Sequence, residues 1–151
     1  MTTSGDAVFS AILAMDTYNR GYNQKIYGLS DATNTRIGDA QVISVSSVKS
    51  EEFYAITYSW KNLKVVSFRG TDNPALGSSA SDFWDGWLVG AGILASQANL
   101  AEAYYESTAV AGQSIFAPAR GDVLLVGHSL GGGLAAYIAA LSHGKAEIFD
   151  S

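Results

Sequence analysis

An α/β fold, with a mostly parallel sheet flanked by helices, is what this sequence predicts, and three observations predict it. Val123-Leu124-Leu125-Val126 is a short, continuous apolar run of the kind that forms a strand buried on both faces. An Ala-rich helical stretch, Leu130–Ser142, follows it, and another apolar strand begins over Ala146–Phe149. Strand, helix and strand in that order favour parallel strands with helices packed on the sheet. Upstream, Gln41–Val48, Phe53–Trp60 and Leu63–Phe68 are rich in β-branched and aromatic residues and read as three more strands.

The remaining elements follow in chain order. Thr3-x-x-Asp6 has the form of a capping box, and Val8, Ile12 and Met15 continue a 3.6-period apolar stripe from it. A helix is therefore expected to about Asn19, ending near Gly21, with a loop through Asp31, Thr33 and Asn34. In the first β segment Val42, Ser44 and Ser46 alternate with Ile43, Val45 and Ser47, and Lys61-Asn62 has the composition of a tight hairpin turn. Residues Asp72–Asp82 are loop-like, rich in Ser, Ala and Gly around Pro74. Ser96–Gln113 reads as a longer helix with Ala101, Tyr104, Tyr105 and Thr108 on one face; that spacing makes the two tyrosines core residues.

Composition narrows the function. The 151 residues suit one domain, expected to be incomplete because the chain stops on a strand where such a sheet would continue. Hydrophobic residues reach 48% against 15% charged, which is globular composition and not that of a disordered chain. Net charge is −5 with only nine scattered Lys and Arg, so there is no phosphate-tracking surface and nucleic acid is a poor partner. Without cysteine there is neither a disulfide nor a thiolate metal site, and the two histidines form no ligand cluster; no metal and no cofactor are expected. The first residues lack the basic start and apolar core of a signal peptide, and no run approaches the length of a transmembrane segment. The compartment stays open between cytoplasm and leaderless secretion.

Gly127-His128-Ser129-Leu130-Gly131 has the pattern G-x-S-x-G. With 16 glycines in the chain the pattern alone is cheap to find, but its context is specific: a buried strand before it and a helix after it. A turn this sharp requires glycine where a Cβ would clash, hence Gly127 and Gly131, while Gly132 and Gly133 are expected to let the helix approach the sheet. The serine hydroxyl is lifted above the sheet edge at a helix N-terminus, where free N–H groups and the helix dipole suit a developing oxyanion. The plain alternative is a Gly-rich turn leading into a buried helix.

Gly127-His128-Ser129-Leu130-Gly131-Gly132-Gly133-Leu134-Ala135 resembles the nucleophile motif of class 3 lipases, the fungal-lipase-like branch of the α/β hydrolases. Ser67-Phe68-Arg69-Gly70-Thr71 resembles the strand and turn that supply that family's second oxyanion donor, and both motifs occur in family order over roughly Val42 to Phe149. The resemblance implies an α/β-hydrolase fold and a serine esterase or lipase acting on an ester or lipid substrate through an acyl-enzyme on Ser129. It implies an oxyanion hole from the backbone amides of Leu130 and Thr71, with the Thr71 hydroxyl as a further donor; otherwise Thr71 is a polar turn residue. Arg69 reads as a structural ion-pair partner. The segment Asp82-Phe83-Trp84-Asp85-Gly86-Trp87-Leu88 takes the place of the family's lid, with Phe83, Trp84 and Trp87 either covering an acyl cleft or packing as core. Asp82 and Asp85 read as helix-end or solvent residues.

A base and an acid must complete such a site. His128 adjoins the nucleophile and points away from it. His143, fourteen residues on along a helix, stands about 21 Å away at 1.5 Å per residue. Neither is the base, so the triad Asp and His are expected outside this sequence, as the order Ser, acid, His also implies. Asp150 ends the next strand and is a candidate acid or a strand-end residue. Three explanations compete: a nicked enzyme with a second polypeptide carrying Asp and His, a fragment that needs a complementing chain, or a non-catalytic lipid-binding module.

Overall fold

The computed structural model describes residues 3–22, 29, 33–46, 53–69, 87–110, 112–117 and 121–149. Its elements are α1 (Ser4–Tyr22), β1 (Arg36–Ile37), β2 (Ala40–Val45), β3 (Tyr54–Trp60), β4 (Leu63–Arg69), α2 (Trp87–Thr108), β5 (Val123–His128), α3 (Leu130–Ser142) and β6 (Lys145–Phe149). They form one six-stranded sheet in sequence order, β1 through β6. The fold is α/β, as expected, but the sheet is mixed: β1 to β4 run antiparallel, and only β4–β5 and β5–β6 are parallel. The physical reason is connection length. The two-residue turns between β1 and β2 and between β3 and β4 can only reverse the strand, whereas the links through α2 and α3 are long enough to return it in the same direction.

The local signals place these elements well. At the start of α1 the Thr3 amide donates to Asp6 Oδ2 at 3.1 Å and the Asp6 amide to Thr3 Oγ1 at 3.2 Å, a reciprocal capping box. Lys61 and Asn62 take φ of 49° and 62°, the left-handed pair of a type I′ hairpin, and Trp60 faces Leu63 across it. Helix α3 ends where His143 adopts φ 52°, and the Gly144 amide reaches back to the Ala139 carbonyl at 3.0 Å. Helix α2 differs from expectation at both ends. It begins at Trp87, inside the aromatic segment, and stops at Thr108, short of Gln113. The reversal there is fixed by Gly112 at φ 78° and by Glu106, whose carboxylate accepts the Ile115 amide at 2.7 Å.

Strands β3 and β4 are buried on both faces, so the sheet separates two cores. On one face α2 and α3 pack over Phe53, Ala55, Val66, Phe68 and Leu125. Tyr104 and Tyr105 belong to this core, 7% and 3% exposed, and the Tyr104 hydroxyl meets Thr57 Oγ1 at 3.0 Å. On the other face α1 lies over Ile56, Tyr58, Val65 and Val126. Here the apolar stripe misleads: Val8, Ile12 and Met15 are 62%, 36% and 37% exposed, while Ser10, Asp16, Thr17, Asn19 and Arg20 of the same helix are buried. The polar face wins because the sheet offers it partners. Thr17 donates to Ser67 Oγ at 2.6 Å, Tyr58 donates to Asp16 Oδ2 at 2.8 Å, and Arg20 pairs with the same carboxylate oxygen at 2.6 Å.

Candidate active site around Ser129

Strand β5 delivers Gly127 and His128 to the carboxyl end of the sheet, and α3 starts at Leu130, so the chain turns within Ser129. The turn demands two glycines. A Cβ on Gly127 would overlap the Gly131 carbonyl and stand 2.6 Å from the Gly132 nitrogen; one on Gly132 would stand 2.6 Å from Ile148 Cγ2. Around Gly133 there is open space. The close approach of α3 to the sheet therefore rests on Gly127 and Gly132, and Gly133 is not needed for it.

Ser129 itself has φ 53° and ψ −125°. That combination lies outside the regions open to L-residues, and holding it costs about 1–3 kcal/mol. Such strain persists only where neighbours impose it. The Ser129 amide donates to the Phe149 carbonyl of β6 at 3.1 Å, extending the parallel ladder one residue past the strand. The carbonyl of the same peptide unit, on His128, accepts the Tyr18 hydroxyl of α1 at 2.9 Å. The Tyr18 ring also meets the His128 imidazole edge-on, with centroids 5.6 Å apart and planes at 87°.

The Ser129 side chain is exposed and makes no capping hydrogen bond to α3, although it occupies the N-cap position. Serine at an N-cap ordinarily bonds an amide of the first turn. Here the hydroxyl stands clear of the helix whose N-terminus it shares. Leu130 is the first helical residue, so its amide has no acceptor within the helix. A strained, exposed serine over free amides at the positive end of a helix suits nucleophilic attack on a carbonyl, with the developing negative charge held by those amides.

Residues 9–151 match the phospholipase-like family described as the Tle-like phospholipase domain. The chain belongs to that family. Among curated proteins none matches it. The Tle-like phospholipase assignment makes this a lipase- or esterase-type hydrolase domain; it does not single out the class 3 branch.

Of the residues singled out in the sequence, Ser129 and Leu130 stand together at the β5–α3 turn. Thr71, Phe83, Trp84, Asp82, Asp85 and Asp150 lie outside the described residues, as does the Trp87 side chain, although Trp87 opens α2. Arg69 is 2% exposed, with its guanidinium 5.3 Å from the Tyr54 ring centroid. His128 turns toward Tyr18, and His143 caps the far end of α3. Among the described residues no group of three metal-ligating side chains forms, and no helix is long and apolar enough to cross a membrane. Tyr18 was not legible as a site residue. It lies 110 positions from His128, on a helix whose sequence gives no sign of which side faces the sheet.

Proposed function

We propose that this Tle-like phospholipase domain hydrolyses carboxylic esters of phospholipids through an acyl-enzyme on Ser129. The observation that carries this is the Ser129 backbone, at φ 53° and ψ −125° between a buried strand and a helix, with its hydroxyl unused by the helix cap. In the forward step Ser129 Oγ bonds the substrate carbonyl carbon and its proton passes to a base. The ester C–O bond then breaks and the leaving alcohol takes that proton. Water repeats the sequence on the acyl-enzyme and releases the fatty acid. The Leu130 amide is one oxyanion donor. The second is assigned to Thr71, which follows two residues after β4, where Phe68 pairs with Gly127 of the elbow strand.

The class 3 resemblance supports the finer parts of this reading. Phe83, Trp84 and Trp87, between β4 and the body of α2, are assigned to a lid over the acyl cleft. The base is assigned to a residue outside this sequence: of its two histidines, His128 turns toward Tyr18 and His143 stands at the far end of α3. Asp150 directly follows Phe149, whose carbonyl holds the Ser129 amide, which keeps it a candidate for the acid. The two misplaced histidines also support a second reading, a lipid-binding module without turnover or a piece completed by a second polypeptide.

Intact-protein mass spectrometry after treatment with a fluorophosphonate tests the reading. With the part that carries the base present, one adduct on the wild type and none on Ser129→Ala is expected. An adduct that survives Ser129→Ala sinks the assignment. Fatty-acid binding with neither labelling nor hydrolysis of phosphatidylcholine vesicles establishes the module instead.

A further inference from the structure

Both polar atoms of one peptide unit, the one joining His128 to Ser129, are held from opposite sides. Its N–H is bonded to the Phe149 carbonyl of β6 at 3.1 Å, and its C=O to the Tyr18 hydroxyl of α1 at 2.9 Å. Rotation of this plane changes φ of Ser129 and ψ of His128 together, the two angles that aim the serine out of the strand. The described pairing of β4 with β5 ends at Phe68–Gly127, one residue before His128. The helix of Tyr18 is anchored one residue away by Thr17, which donates to Ser67 Oγ at 2.6 Å and whose Oγ1 also lies 3.0 Å from the Leu13 carbonyl.

We infer that Tyr18 is a positioning residue for the nucleophile: by holding the His128 carbonyl it keeps the 128–129 peptide in the orientation that presents Ser129 Oγ for attack. The inference rests on Ser129 being the nucleophile. Tyr18 acts through the 128–129 peptide, so its effect falls on the rate of bond formation and not on substrate binding. Loss of one neutral hydrogen bond that orients a reacting group slows the reaction about three- to tenfold.

The test measures the rate of fluorophosphonate labelling at Ser129, with the part that carries the base present and at a temperature where every variant is folded, for wild type, Tyr18→Phe and Thr17→Val. Tyr18→Phe keeps the ring against His128 and removes only the hydroxyl; its maximal labelling rate is expected to fall about three- to tenfold with half-saturating probe concentration unchanged. Thr17→Val breaks a buried bond of the same helix without touching the clamp; it lowers the melting temperature and leaves the labelling rate per folded molecule intact. Equal rates for Tyr18→Phe and wild type overturn the inference, as does a loss in Thr17→Val as large as that in Tyr18→Phe. A wild type that is never labelled at Ser129 overturns the nucleophile reading and this one with it. If Tyr18→Phe does not fold, 3-fluorotyrosine at position 18 replaces it. A stronger donor is then expected to shift the rate, and an unchanged rate overturns the inference.

Discussion

The two faces of this sheet are held by different physics. Against α3 the contact is one of shape: Gly127 and Gly132 remove the Cβ atoms that would keep helix and strand apart, and Leu134, Ala135 and Ile138 pack into the apolar core. Against α1, beside the buried Leu13 and Ala14, the contact is a seam of buried polar side chains, Asp16, Arg20, Thr17, Tyr58 and Ser67, bonded to one another. Both faces meet at Ser129, where α3 begins and where Tyr18 of α1 reaches the preceding carbonyl. A tight steric fit sets how sharply the chain turns, and a polar seam sets which way its peptide faces.

The largest break in this comparison comes on the steric side. Gly127→Ala forces a methyl group into the Gly131 carbonyl, backbone that cannot yield without moving α3. It is expected to cost about 4 kcal/mol or more, read as loss of the cooperative urea transition. Gly132→Ala meets the Ile148 Cγ2 methyl at 2.6 Å and the Gly127 carbonyl oxygen at 3.2 Å, a looser fit than at Gly127, so a smaller cost of about 1–3 kcal/mol is expected. Gly133→Ala meets nothing and replaces glycine within a helix, which should raise stability by about 0.5–1 kcal/mol. If all three substitutions cost the same, shape is not what governs that face.

On the polar side Asp16→Asn removes the charge that faces Arg20 and is expected to cost about 2–3 kcal/mol at neutral pH. Burial raises the Asp16 carboxyl above its ordinary value of 3.8, outweighing the Arg20 and Tyr58 bonds that lower it. The folded protein therefore takes up this proton before the unfolded chain does as pH falls. The stability Asp16 contributes by protonation is full below the unfolded value and is lost as pH rises through the raised folded one. The free-energy gap between wild type and Asp16→Asn, from urea titrations, is thus expected to narrow as pH rises across that window. A gap that widens instead would show the Arg20 bond outweighing desolvation. The smallest of these effects is Thr17→Val, expected to cost about 1 kcal/mol for its bond to Ser67.

Much of the site was legible because its signals are local. Gly127-His128-Ser129-Leu130-Gly131 lies between an apolar run and an Ala-rich stretch, and β5 and α3 fall where those patterns put them. Lys61-Asn62 and Thr3-x-x-Asp6 are equally short-range, and each forms the turn or cap its composition asks for. The misread stripe of α1 marks the limit. Periodicity shows that a helix is amphipathic; it does not show whether the opposing surface will be apolar or will hold Ser67 and Tyr58 ready to bond.

By itself, then, the sequence determined the order of the elements other than β1, the hairpin, the capping box of α1 and the glycine-flanked serine, since each depends on backbone sterics within a few residues. The tertiary structure alone decided which face of α1 is buried, where the antiparallel half of the sheet gives way to the parallel half, and that Tyr18 and Phe149 hold the peptide before Ser129 from its two sides. Those outcomes depend on groups that are distant along the chain and come within bonding distance only when the sheet has formed, and no pattern within a window of residues encodes such a meeting.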